Sequence, residues 1–281
     1  MSEIWTPQDK KNRYKMTISY IGNDFSGSQI QAVSETTNGV EPRTVQSELE
    51  KVFCTLTNRK IKTIFSGRTD AGVHSKGQVV HFDILGELDV RRFENALNGN
   101  LPNDVSVSNL QLTDKTFHAQ KSAIARHYRY TIVNRRQRNV WDGHSLLVRK
   151  PLDTTRMNKC LEFLLGEHDF SAFKSSQTNN PAKICNMYKA KCVASNDFIY
   201  FDFVANRFLY NMIRTIIGTI LWIENNKFDP TKMLEIFNSK DRKNAGATIS
   251  PDGLVLMKVI YSENDKLEAI NENLFSETVG S

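Results

Sequence analysis

The chain has 281 residues, of which 40% are hydrophobic and 24% charged, a balance that excludes a disordered or fibrous protein. This length can bury the core of one large domain or two smaller ones. The 37 Lys and Arg against 31 Asp and Glu give a net charge of +6, which hints at a polyanionic partner without establishing one.

The first half of the chain alternates predicted strands and helices. The polar segment 30–43 is predicted to be a long loop facing a substrate. Apolar periodicity and capping residues predict a strand at 15–20, a helix from Thr44, strands at 61–65 and 78–84, a helix capped by Asp89, and a strand at 105–112.

The second half repeats this order. The predicted elements are a strand at 127–133, a helix at 153–165, strands at 187–193 and 198–204, a long helix at 207–223, a short helix from Asp229-Pro230 and a strand at 254–260. Each half therefore follows a split βαβ pattern, which predicts an α+β protein of two similar halves with helices on one side of the sheet. The domain boundaries are expected at 12–115 and 116–262, followed by a frayed acidic tail at 263–281.

Cysteine usage and the hydrophobic runs predict a cytoplasmic protein. The four cysteines are Cys54, Cys160, Cys185 and Cys192. They are too few for a disulfide framework, and Cys54 and Cys160 fall on apolar helix positions, so buried free thiols are expected. The N-terminal segment indicates neither export nor import. The most hydrophobic run, 208–223, is short for a membrane span and is interrupted by Asn211 and Arg214.

A basic window extends from Lys121 to Lys150, with eight Lys or Arg against the single acid Asp142. Tyr128, Tyr130 and Trp141 lie among these cations. Cations bind phosphates and aromatic rings stack on unpaired bases, so the window could bind RNA. A solvated strand edge with basic loop residues explains it equally well.

The stretch FSGRTDAGVH places two charges in a tight bend directly before the predicted strand 78–84. Gly67 and Gly72 allow backbone conformations closed to other residues, so a ligand could approach the loop closely. Asp70 would then be held as a reactive carboxylate. Taken alone, the stretch more often indicates a structural turn.

Arg214 lies within an otherwise apolar helix, FLYNMIRTIIGTILWI. A buried guanidinium costs several kcal/mol unless an acid pairs with it. Candidate partners are Asp70, Asp202, Glu224 and a substrate phosphate, or the side chain reaches solvent. Sequence spacing leaves these alternatives open.

Other residues carry weaker signals. Tyr128 shares a strand face with Tyr130 and Ile132, which is more typical of a core than of a catalytic site. Asp70, His74 and His81 could be imagined as metal ligands of a hydrolase, but no metal-binding spacing is present. The chain contains neither GxGxxG nor GxxxxGK[ST], so a nucleotide cofactor has no support.

Several motifs together resemble the TruA family of tRNA pseudouridine synthases. SGRTDAGVHSKGQVVHFD matches the family signature, and NALNGNLPNDVSV, FHAQKSAIARHYRYTI, LLGEHDFSAF, RFLYNMIRTIIGTIL and AGATISPDGLVLMKVIY follow in the family's order. The resemblance covers nearly the whole chain. It departs from the family at Ser28 in GSQ, Gln120 in FHAQ and Ser250 before Pro251.

The resemblance implies a fold, an activity and partners. The fold would be two ferredoxin-like halves that share a central, mostly antiparallel sheet beside a basic RNA-binding cleft. The activity would be isomerisation of uridine to pseudouridine in the anticodon stem-loop of tRNA, at position 38, 39 or 40. No cofactor or metal would be required, and the protein would be a homodimer.

The resemblance also implies roles for individual residues. Asp70 would be the catalytic nucleophile or base, Tyr128 would stack on uracil and act as general base, and Arg214 would form an ion pair with Asp70. Arg68 would extrude and replace the target base. Further substrate-binding roles fall to Gln29, His74, Arg126 and Arg129. A non-catalytic RNA-binding protein on the same fold, and the metal-dependent hydrolase, are the alternative hypotheses.

Overall fold

The computed structural model describes residues 4–31, 41–175 and 183–272, and the chain divides into two compact units. Unit 1 comprises Met1–Ala123 and Leu256–Val259, and unit 2 comprises Ile124–Val255 and Ile260–Ser281. The division falls eight residues beyond the expected boundary at 115/116, and the middle of the last strand belongs to unit 1. The assignment of two ferredoxin-like domains stays a prediction, as do the shared sheet and the basic cleft.

Unit 1 is α+β and mostly antiparallel, as predicted. Its elements are β1 (Trp5–Tyr20), α1 (Val45–Thr57), β2 (Thr63–Phe65), β3 (His74–Leu88), α2 (Val90–Asn100) and β4 (Val105–Thr113). β1 pairs antiparallel with β3 and with β4, and β2 pairs antiparallel with β3. β1 begins ten residues before the predicted strand, because its polar first part continues along β3 through a register shift between Thr6 and Lys11.

The core of unit 1 follows from the alternation in β1 and the periodicity of the helices. Tyr14, Met16, Ile18 and Tyr20 are buried on one face of β1. Thr44 caps α1 through a capping box with Ser47, and Asp89 caps α2 by accepting from the backbone N–H of Arg92. The apolar stripes of both helices pack into this core.

The prediction of buried thiols is wrong for Cys54. All four cysteines are free, but Cys54 is exposed on α1 whereas the other three are buried. Position 54 follows the buried pair Val52 and Phe53, so it has rotated past the apolar stripe toward solvent.

Unit 2 is also α+β with a mostly antiparallel sheet. Its elements are β5 (Ala125–Asn134), β6 (Leu146–Val148), α3 (Thr154–Glu162), β7 (Gly166–Asp169), β8 (Ile184–Ser195), β9 (Phe198–Ala205), α4 (Met212–Asn225), α5 (Lys232–Ser239), the ends of β10 (Leu254–Ile260) and α6 (Glu263–Asn271). β9 pairs antiparallel with β5 and β8, β7 pairs antiparallel with β8, and β6 pairs parallel with β5. The short strands β6 and β7 were not predicted.

Helix α4 begins at Met212, five residues later than predicted. Asn211 adopts a left-handed conformation with φ 61°, which a helix cannot continue through and which asparagine tolerates better than most residues. The helix is buried on most sides, from Met212 to Glu224. Within the described ranges, no helix is long and apolar enough to cross a membrane.

The expectation of a frayed tail is wrong for its first nine residues, which form α6. Ser262 caps the helix by accepting from the N–H of Asp265, and the acids in its first turn suit the positive end of the helix dipole. At the other end, the ammonium of the buried Lys189 donates to the carbonyls of Ala269 and Glu272, each at 3.0 Å. The acidic composition that suggested fraying therefore stabilises the start of a helix. The rest of the tail, from 273, lies outside the described residues.

Candidate active site

The loop that carries Asp70 leaves the sheet directly after β2. Its turn is closed by the N–H of Val73, which donates to the carbonyl of Asp70 at 3.2 Å. Gly72 has φ +78°, so the predicted need for glycine is confirmed there. It is wrong for Gly67, whose φ is not positive and around which a Cβ would meet no atom within 4 Å. Asp70 is half-buried, and Arg68 beside it is exposed.

The middle of this loop is anchored through Thr69 to an earlier segment of unit 1. The N–H of Thr69 donates to Oγ of Ser28 at 2.9 Å, and the N–H of Ser28 donates to the carbonyl of Thr69 at 3.2 Å. The Thr69 hydroxyl is also 2.8 Å from the hydroxyl of Tyr20. Gly27 permits this approach: its φ is +118°, and a Cβ there would be 3.0 Å from the Thr69 carbonyl. Asp70 therefore follows a residue whose position is fixed by three hydrogen bonds.

A buried polar network surrounds this anchor. The Gln78 amide donates to the carbonyl of Gly67 at 3.0 Å, its oxygen accepts from the Ser66 hydroxyl, and its backbone N–H donates to the Ser75 hydroxyl at 2.9 Å. Burial raises the pKa of the Tyr20 phenol, opposed by hydrogen bonds from Thr69, Gln78 and other members of the network. The phenol therefore stays protonated and keeps its proton for hydrogen bonding.

Arg214, in unit 2, is held by two oxygen acceptors. Its Nε donates to the carbonyl of Ile249 at 2.7 Å, and its Nη1 donates to Oδ1 of Asn211 at 2.8 Å. Asn211 thus has two roles. Its left-handed backbone conformation marks the start of α4, and its side chain makes no cap hydrogen bond but accepts from the guanidinium of Arg214. The side chain of Arg214 is only partly buried.

Two of the alternative partners considered for Arg214 are engaged elsewhere. The carboxylate of Asp202 accepts from Nε and Nη2 of Arg129 at 2.9 and 3.1 Å, and one of its oxygens lies 2.9 Å from Nε2 of His127. Glu224 accepts from Nε of Arg156 at 2.8 Å. Burial alone would raise the pKa of Asp202, but its hydrogen bonds outweigh burial and lower it.

A close backbone approach positions the carbonyl of Ile249 against α4. Gly218 lies on the helix where a Cβ would be 1.9 Å from the carbonyl oxygen of Ala247, and a Cβ on Gly246 would be 2.7 Å from the carbonyl oxygen of Gly218. The two glycines therefore let the segment 246–249 lie directly on the helix. This contact brings Ile249 within reach of Arg214.

The two tyrosines of β5 have different surroundings. Tyr130 is fully buried and donates its hydroxyl to the carbonyl of Ser250 at 2.8 Å, so the departure at Ser250 supplies a backbone acceptor. Burial raises the pKa of Tyr130, while the charge of Arg214 acts to lower it. Tyr128 is half-buried with its ring edge-on to Phe208 at 5.1 Å between centroids. Tyr128 is thus the more accessible of the two.

The proposed substrate-binding residues divide into buried and accessible groups. Arg129 is 8% exposed and its guanidinium is engaged by Asp202, while His74 is 3% exposed and its Nδ1 accepts from the N–H of Gly22 at 2.9 Å. Arg126 donates to the carbonyl of Asn206 at 2.8 Å, and burial lowers its pKa. Their roles in binding stay predictions, and for Arg129 and His74 the burial favours a structural role.

Gln29 lines an open cavity of about 610 Å³ in unit 1, together with Gln120, the residue at the FHAQ departure. Lys60 and Lys62 line the same cavity. The two glutamines therefore lie beside cations at the surface, and the role of Gln29 in substrate binding stays a prediction.

The histidines do not assemble a metal centre. Nδ1 of the buried His81 accepts from the N–H of Ala119 at 3.1 Å. Across residues 4–31, 41–175 and 183–272, there is no group of three His, Cys, Asp or Glu arranged to hold a metal ion. The metal-dependent hydrolase therefore gains no support from side-chain placement.

Sequence reasoning missed the residues that position the candidate groups. Ser28 and Thr69 stood in the quoted motifs, but only the fold shows that they bind each other. Asn211 could have been found, because an asparagine directly before an apolar helix often marks a helix start. Asp70 lies in unit 1 and Tyr128 and Arg214 in unit 2, and their meeting stays a prediction.

Comparison with known proteins adds independent information. A family model described as tRNA pseudouridine synthase matches residues 16–120 and 161–262. A tRNA pseudouridine synthase A from Geobacillus sp. (strain WCH70) is 40% identical over 89% of this chain and 98% of its own length. One from Ehrlichia canis (strain Jake) is 39% identical over 89% of this chain and all of its own length. A chain in the crystal structure of a Cbf5-Nop10-Gar1 complex is 10% identical at a TM-score of 0.36 over 74% of this chain and 44% of its own, and nothing is concluded from it.

Proposed function

Because the chain belongs to the tRNA pseudouridine synthase family, we propose that it isomerises uridine to pseudouridine in the anticodon stem-loop of tRNA, at position 38, 39 or 40. The observation that carries the proposal is the anchored loop of Asp70, which lies within a matched block of the family model. The second matched block contains Arg214. A carboxylate on a loop fixed by its neighbour suits a reaction that needs one group held against a sugar or a base.

The reaction rearranges bonds within one nucleotide. The N1–C1′ bond of uridine breaks, uracil turns, a C5–C1′ bond forms, C5 loses its proton and N1 gains one. The sum is redox-neutral, so the chemistry calls for no oxidant, reductant or phosphate donor. Asp70 would act as nucleophile or base, and Tyr128 would stack on uracil and take the C5 proton.

The role proposed for Arg214 is to keep the carboxylate of Asp70 ionised. An adjacent guanidinium stabilises a carboxylate and lowers its pKa. Asp202 and Glu224 already have cationic partners, which supports Asp70 as the acid that Arg214 serves. The carbonyl of Ile249 and the side chain of Asn211 hold the guanidinium through its Nε and Nη1.

A uridine inside a stem must leave the stack before it can react, at a cost of a few kcal/mol. The exposed Arg68, two residues before Asp70, is proposed to enter the space left in the RNA. The active form is proposed to be a homodimer, which sedimentation of the purified protein would test.

The test is release of tritium from tRNA labelled at uracil C5. We expect release that survives EDTA, and loss of release in Asp70→Asn with tRNA binding retained. Asp24→Asn, an exposed aspartate of the same unit, is the matched control and should react as the wild type does. Release by Asp70→Asn would overturn the role of Asp70, binding without release by the wild type would indicate a non-catalytic RNA-binding protein, and loss of release in EDTA would indicate a metal enzyme.

The position of the target uridine needs a second substrate set. Transfer RNAs carrying one labelled uridine at a time through the anticodon stem-loop should release tritium only from position 38, 39 or 40. Release from another arm of the tRNA would contradict the proposed specificity and leave the proposed chemistry intact.

A further inference from the structure

An exposed tryptophan lies at the tip of the loop between β5 and β6. This loop, residues Arg135–Ser145, is called the Trp141 loop here. Trp141 is 89% exposed and Val140 is 77% exposed. They are the two central residues of a four-residue turn, closed by the N–H of Asp142, which donates to the carbonyl of Asn139 at 3.2 Å.

Hydrogen bonds fix the turn from both ends. The N–H of Trp141 donates to Oδ1 of Asn139 at 3.0 Å, and the N–H of Asn139 donates to Oδ2 of Asp142 at 3.0 Å. Arg135 forms an ion pair with Asp142, and Gly143 takes φ +61° directly after the turn. The backbone under Trp141 is therefore held in one conformation, and the indole is presented by it.

The fold itself gains little from an indole at this place. The centres of turns favour Gly, Pro, Asn, Asp and Ser, whereas a buried aromatic side chain removes roughly 150–250 Å² from water. The other two tryptophans are less exposed and make ring contacts: Trp5, which is half-buried, stacks with the guanidinium of Arg59 at 4.8 Å, and Trp222, 38% exposed, packs on Phe228 at 5.0 Å. The indole of Trp141, in contrast, is exposed to solvent, although the turn that carries it is fixed by hydrogen bonds.

The charge around the indole is positive. The loop contains three arginines and one aspartate, and Arg135 forms ion pairs with that aspartate and with Asp197. Arg136 and Arg138 are exposed within the loop, and Arg149 and Lys150 are exposed just after β6. A flat ring flanked by exposed cations matches an unpaired nucleobase next to its phosphates, and it does not match an apolar or a basic protein surface.

We propose that the Trp141 loop is a second contact for tRNA, in which Trp141 stacks on an unpaired base while Arg136 and Arg138 contact the adjoining phosphates. The inference rests on the proposed function, because it takes tRNA as the substrate, and it goes beyond it by assigning a site other than the proposed catalytic residues. The stacked base is not the uridine that reacts. The contact therefore contributes to holding the substrate and leaves the chemical step unaltered.

The first test is kinetic. In Trp141→Ala, KM and the Kd for tRNA should rise about 5- to 150-fold, the range expected for loss of one stacked base, while kcat stays within about twofold. Trp141→Phe should restore most of the affinity, and Trp222→Phe, which alters a packed tryptophan of the same unit, should leave KM unchanged. The thermal melting temperature should be the same in wild type and Trp141→Ala, because the indole is not part of the core.

The second test is spectroscopic and uses a protein in which Trp5 and Trp222 are replaced by Phe. Binding of tRNA should quench the fluorescence of Trp141. Arg136→Ala and Arg138→Ala should each lower the slope of log Kd against log salt by about 1.

The outcomes separate this inference from the proposed function. A wild type that releases tritium, with unchanged Kd in Trp141→Ala and no quenching, would overturn the second contact alone. A wild type that neither binds nor modifies tRNA would overturn both. Unchanged tRNA affinity together with a changed sedimentation coefficient in Trp141→Ala would assign the loop to a protein partner or a second copy, and would also overturn the inference.

Discussion

Thr69 and Ser28 bind each other twice, through the Thr69 N–H to the Ser28 hydroxyl at 2.9 Å and the Ser28 N–H to the Thr69 carbonyl at 3.2 Å. Ser28 is completely buried and Thr69 is 3% exposed. The pair therefore ties the residue next to Asp70 to a segment of the chain 41 positions earlier. In the resemblance to the TruA family, Ser28 stood out as a departure, yet here its hydroxyl supports the motif loop.

Removing this hydroxyl should impair catalysis more than binding. In Ser28→Ala, the buried N–H of Thr69 loses its acceptor, which costs about 1–3 kcal/mol of stability and lets the loop move. A displacement of Asp70 by a fraction of an ångström to an ångström should lower kcat about 10- to 100-fold with little change in KM. Tritium release at varied tRNA concentration would measure both parameters.

The control for this variant is Ser26→Ala, two residues earlier on the same segment, where the side chain is exposed. It should leave kcat and KM at their wild-type values. A normal kcat in Ser28→Ala would show that the anchor is dispensable for placing Asp70.

The approach of Gly218 to Ala247 should be equally sensitive, but through the backbone. In Gly218→Ala, a Cβ 1.9 Å from the carbonyl of Ala247 must push the segment 246–249 away from α4. We expect a loss of about 1–3 kcal/mol in the free energy of unfolding. Because the carbonyl of Ile249 moves with this segment, the hydrogen bond to Arg214 should weaken and kcat should fall.

Gly99, inside α2, is the matched control. A Cβ there would meet no atom within 4 Å, so Gly99→Ala should gain about 0.5–1 kcal/mol from helix propensity. Urea denaturation of the two variants would measure the free energies. Equal effects of the two substitutions would mean that helix propensity, and not the close approach, governs position 218.

The elements that the sequence predicted correctly are those in which local signals agree. In α1, an apolar stripe that follows Thr44 predicts the helix, and the structure begins it at Val45 after the Thr44 cap. The last strand, β10, lies at the predicted residues 254–260. Such agreement needs no knowledge of the rest of the fold.

The wrong predictions concern elements whose formation depends on contacts or backbone conformations that local periodicity does not show. Helix α6 depends on Lys189, which reaches its last carbonyls from about 80 positions earlier. The start of α4 depends on the left-handed conformation of Asn211, which apolar periodicity does not reveal. Asp70 is proposed as a site residue from its motif, but the bond between Ser28 and Thr69 could not be inferred, because spacing along the chain does not predict contact across it.

Arg129 offers a direct comparison of a structural with an RNA-binding role. Its guanidinium donates two hydrogen bonds to Asp202, which is 1% exposed. In Arg129→Met, the buried carboxylate loses both hydrogen bonds from the guanidinium and its ion pair, so the free energy of unfolding should fall by about 3–5 kcal/mol. The salt dependence of tRNA binding should keep its slope, because no phosphate contact is lost.

Arg136→Met, which removes an exposed arginine, should behave in the opposite way, with unchanged stability and a smaller salt slope. Chemical denaturation and tRNA titrations at several salt concentrations would measure both quantities. Unchanged stability together with a smaller salt slope in Arg129→Met would show that Arg129 contacts the RNA and has no structural role.

The stability of the protein should decrease below neutral pH through His81. Burial, followed by the charges of Arg13 and His118, lowers the pKa of His81 from 6.5 to about 4, against the opposing effect of Asp83. Its Nδ1 accepts from the N–H of Ala119 and must be unprotonated to do so.

The sign of the effect follows from this lowered pKa. Above pH 6.5 His81 is neutral in the folded and the unfolded chain, so its full contribution to stability is present there. As the pH falls from 6.5 toward about 4, the unfolded chain takes up the proton first, and the wild type should lose up to about 1.4 kcal/mol per pH unit relative to His81→Gln. Urea denaturation of both proteins across this range would measure the difference. Parallel stability curves for wild type and His81→Gln would contradict the assignment of the slope to this histidine.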